Sequence, residues 1–280
     1  MGQHRPVRPI DQQVVLVTGA TSGLGRALAE RLASLGAQVL MHGRDRARLD
    51  AACEQIRDVV PGARLYPALA DLSSLAEVDQ LADRLLDEHA ALHALVNNAG
   101  IGAGRDPSKR DTSRDGIELR LAVNHLAGAL LIRRLLPRLQ ELAPARIVQV
   151  ASLGQAPFDP ADPQLERRYD GWQAYMQSKL AQVMLTRDLA GELDPAAVTI
   201  NALHPATFMD TGMVREGGIT PRSGVDDGLR ATLRLLVDPE LDGVSGRFFD
   251  GTREAEPNPA ADDPEARAFV RALTEELLRR

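Results

Sequence analysis

Gln13-Val-Val-Leu-Val17-Thr18-Gly19-Ala-Thr21-Ser22-Gly23-Leu24-Gly25-Arg26-Ala-Leu-Ala-Glu-Arg-Leu-Ala-Ser-Leu35 divides into three pieces. Gln13 to Val17 is a β-branched and aliphatic run, the mark of a strand buried on both faces. Arg26 to Leu35 carries apolar residues at helical spacing, and Gly36 follows as a helix-closing glycine. Between them lies a turn containing Gly19, Gly23 and Gly25. Glycines let backbone N–H groups approach a ligand, and a helix N-terminus adds partial positive charge. Three clustered glycines alone would signify only a tight turn. Flanked by a buried strand and an amphipathic helix, they predict a pyrophosphate cradle and the first unit of a doubly wound α/β sheet.

Working outward, further strand-like runs occur at Gln38–Met41, Arg64–Pro67, Ala94–Val96, Arg146–Val150, Val198–Ala202 and Gly246–Phe249. Helical patterns fill most intervals, at Arg46–Val60, Leu75–His89, Gly116–Glu141 and Ala174–Leu193. Alternation of this kind implies βαβ units and a parallel sheet with helices on both faces. No internal repeat or second-domain linker interrupts it, so residues 1–280 read as one domain. Residues 1–11 read as a flexible tail. Residues 254–280 read as an extension ending in an amphipathic helix, Pro264–Leu278.

The chain has three tyrosines and two lysines, and one of each stands in Tyr175-Met-Gln-Ser-Lys179. Residues four apart share a helix face, where an ammonium can stabilise a phenolate and lower its pKa. By itself the pair could equally be an idle surface contact.

Thr18-Gly19-xxx-Gly23-x-Gly25, Asn97-Asn98-Ala99-Gly100, Ser152 and Tyr175-xxx-Lys179 together resemble the classical short-chain dehydrogenase/reductase family, in that family's order. Tyr175-Met-Gln-Ser-Lys-Leu-Ala-Gln and Gly246-Arg-Phe-Phe-Asp250 are similar to its retinol-dehydrogenase-like branch. The resemblance implies a Rossmann-type sheet of about seven strands and an oxidoreductase using NADP(H) or NAD(H). In its terms Ser152 polarises a carbonyl, Tyr175 passes the proton, Lys179 lowers the tyrosine's pKa and binds the nicotinamide ribose, and Asn124 holds a water in a proton relay. Hydride transfer leaves an alkoxide, which needs a proton donor and a second hydrogen-bond donor within reach. Asn124 could also be a polar residue facing a neighbouring element. Tyr169 has no lysine four residues on, and His125 and His204 read as structural. No metal site is expected.

The cofactor is expected to lie against Gly19, Thr21, Ser22, Gly23, Leu24, Gly25, Asn98, Ala99, Gly100, Tyr175 and Lys179. The second strand ends Met41-His42-Gly43-Arg44, without the acidic residue that would accept a free ribose 2′-hydroxyl and repel a 2′-phosphate. Arg44 supplies a guanidinium suited to phosphate. NADP(H) is therefore favoured, although Asp45 dilutes the charge. Asp71 and Leu72 stand where the family contacts adenine, and Asp71 could instead cap the helix beginning near Ser73. After the sixth strand the family's Pro-Gly turn is Pro205-Ala206 here, and Thr207 and Thr211 compete for the nicotinamide contact.

Segments 153–173 and 206–222 are the expected substrate walls. Ser152, Phe158, Trp172, Phe208, Met209 and Met213 would make a mainly apolar pocket for a medium-sized lipophilic ketone, aldehyde or alcohol. The alternative is loop packing. Net charge is −6 with no basic stripe, which argues against nucleic acid. A single cysteine, Cys53, fits a reducing compartment, and no run of about 18 apolar residues is long enough for a membrane span. The N-terminal residues have no apolar core of a signal or anchor, so a soluble cytoplasmic protein is expected. Leu119–Leu139 is apolar on several helical faces, which suggests a homodimer or homotetramer unless the C-terminal helix covers it. Two other functions compete. A sugar-nucleotide epimerase would favour a different glycine spacing and a larger C-terminal region. A non-catalytic dinucleotide sensor or scaffold would be expected to lose the tyrosine or lysine.

Overall fold

The computed structural model describes residues 7–279, so the first six positions of the expected N-terminal tail lie outside the described residues. Eight strands form one sheet: β1 Val14–Val17, β2 Gln38–Gly43, β3 Arg64–Leu69, β4 Ala94–Asn97, β5 Ala145–Val150, β6 Val198–His204, β7 Phe248–Asp250 and β8 Arg253–Glu254. Their order is β3-β2-β1-β4-β5-β6-β7-β8. All pair in parallel except β8, which turns back antiparallel on β7. The seven expected strands are present, and this short hairpin partner is the addition.

Eight α-helices accompany the sheet among the described residues: α1 Gly23–Ser34, α2 Arg46–Val59, α3 Leu75–Glu88, α4 Ala127–Glu141, α5 Gly171–Glu192, α6 Gly212–Glu216, α7 Val225–Val237 and α8 Pro264–Leu277. The sequence reading has no helix between β6 and β7. A parallel step needs a crossover, and α7 supplies it.

Side chains alternate across a strand, and the two faces of β1 show the result. Val15 and Val17 join Leu28, Leu32, Met41, Leu49, Ile56, Leu235 and Phe249 in a layer under α1, α2 and α7. Leu16 joins Leu40, Val78, Leu81, Leu95, Leu131, Leu135, Ile147 and Ile200 in the opposite layer, under α3 and α4. The chain reverses its winding between β1 and β4, and open α/β sheets place ligands at that point, beyond the strands' carboxyl ends.

The extension of residues 254–280 closes the far side. Val270 of α8 is buried with Ala181, Val183 and Met184 of α5, and Leu277 is buried with Ile117, Leu121, Ala122 and Leu126. Buried Asp188 on α5 holds Arg267 at 3.0 Å and Arg271 at 3.1 Å. His125 hydrogen-bonds Thr274 at 2.8 Å. The apolar faces within Leu119–Leu139 pack against α3, the sheet and α8 of the same chain, the alternative to a homodimer or homotetramer that the sequence left open. No helix among the described residues is long and apolar enough to cross a membrane.

Candidate active site

The glycine-rich turn is held by its neighbours' polar groups. Thr18 Oγ1 accepts from the backbone N–H groups of Asn98 and Ala99, both at 2.9 Å. Asn98 Nδ2 donates to the carbonyls of Thr18 (2.8 Å) and Gly19 (3.3 Å). The Asn98 amide thus shapes the cradle as well as bordering it. Gly19 sits at φ +66°, in the left-handed region, and a Cβ on Gly25 would collide with the Gly19 carbonyl and Asn98. The first N–H groups of a helix have no intrahelical partner. At α1 the Ser22 hydroxyl makes no capping bond to them. Unpaired donors beside a glycine-rich turn suit the pyrophosphate of a dinucleotide.

A residue that the motifs do not reveal completes the turn. His42, 3% exposed at the end of β2, accepts from Gly19 N–H through Nδ1 (3.1 Å) and meets the Ala70 carbonyl through Nε2 (3.1 Å). One ring thereby ties the ends of β1, β2 and β3 together. Burial lowers its pKa to about 4, so the neutral imidazole can accept at Nδ1. The only sequence signal was a polar residue within an otherwise buried run.

At the adenosine end, a Cβ on Gly43 would stand 2.5 Å from Thr21 Cγ2, so the threonine methyl fills the place where an acidic side chain would begin. Arg44 is exposed. Asp45 caps α2 by accepting from Arg48 N–H at 2.9 Å. Asp71 Oδ1 accepts from Ser73 N–H at 3.0 Å, and its other oxygen lies 3.4 Å from Arg114. The α3 cap is Ser74, three residues beyond the Asp71 that the sequence offered as a cap. Burial opposes ionisation of Asp71, but the hydrogen bonds from Ser73 and the charges of Arg114 and Arg44 outweigh it and hold the carboxyl below its usual range.

Ser152 follows β5, and Tyr175 lies just over one turn into α5, whose N-cap Asp170 accepts from Trp172 N–H at 2.8 Å. The Ser152 hydroxyl lies close enough to Tyr175 to favour its phenolate. Lys179 is 3% exposed, with Nζ 5.8 Å from the centre of the Tyr175 ring. Nζ donates to the Val150 carbonyl (2.8 Å) and to Gln182 Oε1 (2.9 Å), a partner one helical turn on that sequence reasoning missed. Burial lowers the lysine pKa to about 7 and raises that of Tyr175, against which the Ser152 hydroxyl works.

Asn124 lies in a π-helical stretch, Leu121–Leu126, that leads into α4; such bulges often mark functional sites. Its Oδ1 accepts from Ile101 N–H (2.8 Å), and its Nδ2 donates to the Ile101 carbonyl (3.1 Å) and Ser178 Oγ (2.9 Å). A Cβ on Gly100 would stand 3.3 Å from Asn124 Oδ1 and 3.5 Å from Lys179 Nζ. The structure therefore brings Gly100, Asn124, Ser152, Tyr175 and Lys179 together. Tyr169 stands apart, donating to Glu118 Oε1 at 3.0 Å.

On the substrate side, two assignments need correction. Met209 packs into the sheet core, its sulfur against Gly228 of α7, so it anchors the 206–222 segment from beneath. Phe158 packs with Phe269 of α8, ring centres 6.4 Å apart, and belongs to the C-terminal cover. Trp172, Phe208 and Met213 remain more than a third exposed, and Leu153, not singled out beforehand, is 48% exposed next to Ser152. Thr207 Oγ1 is bonded to His204 at 3.1 Å. The Thr211 methyl reaches over the glycine turn, 3.1 Å from where a Gly23 Cβ would be.

Fold and site together define a doubly wound α/β protein with a Ser-Tyr-Lys cluster at the carboxyl edge of a parallel sheet. Residues 13–220 match the short chain dehydrogenase family. Retinol dehydrogenase 13 of Mus musculus is 35% identical over 275 residues, covering 91% of this chain and 80% of that protein. Retinol dehydrogenase 14 of Homo sapiens is 37% identical, covering 90% and 82%. The crystal structure of a 3-ketoacyl-(acyl-carrier-protein) reductase from Brucella melitensis, complexed with NADH, is 28% identical and superimposes with a TM-score of 0.67, covering 86% of this chain and 97% of that one. The chain belongs to the short-chain dehydrogenase family and is retinol-dehydrogenase-like: an oxidoreductase acting on alcohol and carbonyl groups.

Proposed function

We propose that the protein is an NADP(H)-dependent enzyme interconverting an aldehyde or ketone and an alcohol on a medium-sized lipophilic molecule. The observation that carries this reading is the grouping of the half-buried Tyr175 with Ser152, whose hydroxyl opposes the rise in the phenol's pKa, and with buried Lys179 5.8 Å from the ring centre. The turn from Gly19 to Gly25, Asp71, Leu72 and Lys179 would hold the dinucleotide, and its nicotinamide would supply or accept the hydride. Tyr175 gives its proton to the carbonyl oxygen in reduction and takes it back in oxidation. Ser152 donates a second hydrogen bond to that oxygen as charge develops. Lys179, when protonated, favours the phenolate of Tyr175, and Asn124 fixes the Ile101 backbone beside it, at the start of a proton path.

NADP(H) preference is supported by Gly43, by exposed Arg44 and by the engagement of Asp45 in capping α2. A lipophilic substrate is supported by the apolar rim of Leu153, Trp172, Phe208 and Met213. A single buried cysteine fits a cytoplasmic location, which cell fractionation tests.

The test is a carbonyl panel with NADPH followed at 340 nm, including all-trans-retinal, decanal and medium-sized ketones. Activity on an apolar carbonyl is expected. Tyr175→Phe should lower turnover by about 10²–10⁴-fold while NADPH still binds. A Tyr175→Phe enzyme as fast as the parent would sink the mechanism. Inactivity across the panel together with micromolar NADPH binding would favour a non-catalytic sensor or scaffold.

A further inference from the structure

Behind the reacting group lies a buried charged cluster that the mechanism does not use. Glu118 and Arg120 are 2% and 4% exposed in their side chains and 3.4 Å apart. Arg120 also donates to two consecutive carbonyls, Gly102 through Nε at 3.1 Å and Ala103 through Nη2 at 2.8 Å. Its guanidinium lies 5.8 Å from the centre of the Tyr169 ring. Glu118 Oε1 accepts from Tyr169 Oη at 3.0 Å, and Oε2 accepts from Leu121 N–H at 2.7 Å, at the start of the stretch carrying Asn124. The Glu118 N–H in turn donates to Gln164 Oε1 at 3.1 Å. Three segments distant in sequence therefore share one cluster: Gly100–Pro107, the entry to α4, and the part of 153–173 that leads into Tyr175.

The first of these segments runs from the reacting group to the start of α5. It begins at Gly100, beside Lys179 and Asn124, and passes Gly102, where a Cβ would stand 3.1 Å from Met213 Cγ. It ends at Pro107, whose carbonyl accepts from Gly171 N–H at 2.7 Å, at the start of α5. Backbone strain marks the same surroundings. Leu165, next to Gln164, has φ +52°, and Phe208 on the opposite segment has φ +46°. Residues of that kind persist only where neighbours over-determine them.

We propose that Glu118, Arg120 and Tyr169 are positioning residues that hold Gly100–Pro107 as the fixed wall of the substrate cleft, against which segment 206–222 rests through Met213. A charge-assisted pair sealed from water keeps its geometry only while each partner is satisfied. Arg120 uses the remaining donors of its fork to set two wall carbonyls. Tyr169 extends the hold to the opposite side of the entrance. The proposal rests on Ser152, Tyr175 and Lys179 being the reacting group, because it concerns where substrate lies relative to them.

The test compares the parent, Tyr169→Phe and Glu118→Gln by hydrogen–deuterium exchange and by reduction of decanal with NADPH. Tyr169→Phe removes one hydrogen bond and keeps the ion pair, so the fold should survive. Peptides covering Ile101, Glu118 and Gly171, whose amides donate to Asn124, Gln164 and Pro107, should exchange at least tenfold faster. The glycine turn should be unchanged, KM for decanal should rise fivefold or more, and kcat should stay within twofold. Glu118→Gln, which leaves Arg120 without its counter-charge, should move the same readouts further. Unchanged exchange in those peptides for Tyr169→Phe overturns the proposal. So does faster exchange with an unaltered KM, or a parallel loss of kcat and NADPH affinity. If the parent does not reduce decanal, the exchange measurement alone decides the proposal, and the reacting-group reading is judged by the panel.

Discussion

His42 must be neutral to do what it does in the folded chain, and burial with no partner at Nδ1 disfavours charge on His125. At His42, Nδ1 accepts a backbone proton, so Nε2 carries the hydrogen that reaches Ala70. At His125, Thr274 gives its only hydroxyl proton to the Val270 carbonyl, so Nε2 must donate to Thr274. Burial lowers both from 6.5 to about 4. The unfolded chain therefore binds protons that the folded chain refuses between about pH 6.5 and 4, and stability falls as pH falls through that window. Each histidine should cost on the order of 2 kcal/mol by pH 5. Thermal unfolding at pH 7 and pH 5 checks this, and an equal Tm at both values would refute the neutral assignments. Protonated His42 would also point a hydrogen at the Gly19 N–H, so NADPH affinity should weaken over the same range. Arg44 belongs to the same end of the site but acts through charge. Arg44→Ala should weaken NADPH about tenfold or more, since a hydrogen bond to a charged group contributes about 1.5–3 kcal/mol. Titrations with both cofactors separate this from general damage, because NADH affinity should barely change.

Among the elements, α8 is held by polar contacts that can be cut singly. Asp188 faces Arg267 and Arg271 from a largely buried position on α5. Asp188→Ala should destabilise the protein by about 1 kcal/mol, because the arginines it leaves behind are partly exposed and can be solvated. Urea denaturation would measure it, with faster proteolysis between residues 254 and 264 as a second readout. The strands were legible because long β-branched and aliphatic runs admit few other structures. The Tyr175–Lys179 pair was legible because its spacing within one helix fixes its geometry. The polar residues that support these groups were not. His42, Gln182, Glu118 and Arg120 owe their roles to partners 2 to 51 positions away, and no local pattern announces such pairings. Met209 and Phe158 misled for a related reason: an apolar side chain in a loop satisfies the same physics in a core as in a pocket.

At the scale of the whole molecule, the outer face of α4 carries charge where it meets its neighbours. Arg133 pairs with Glu275 of α8 at 3.3 Å, and Arg134 pairs with Asp79 and Asp83 of α3. With its apolar side covered from within, the chain should be a monomer, and light scattering after size exclusion should give a mass near 30 kDa at micromolar concentration. A mass twice that value would require a surface other than the one α8 occupies. The position of α8 also bears on how the chain is made. Ile117, Leu121 and Leu126 emerge during synthesis well over a hundred residues before Leu277, which covers them. Throughout that interval the growing chain carries a bare oily stripe beside a nearly finished sheet. Chains interrupted before residue 264 should consequently be clients for chaperones and prone to stick to one another, even though every residue of the reacting group has already been built.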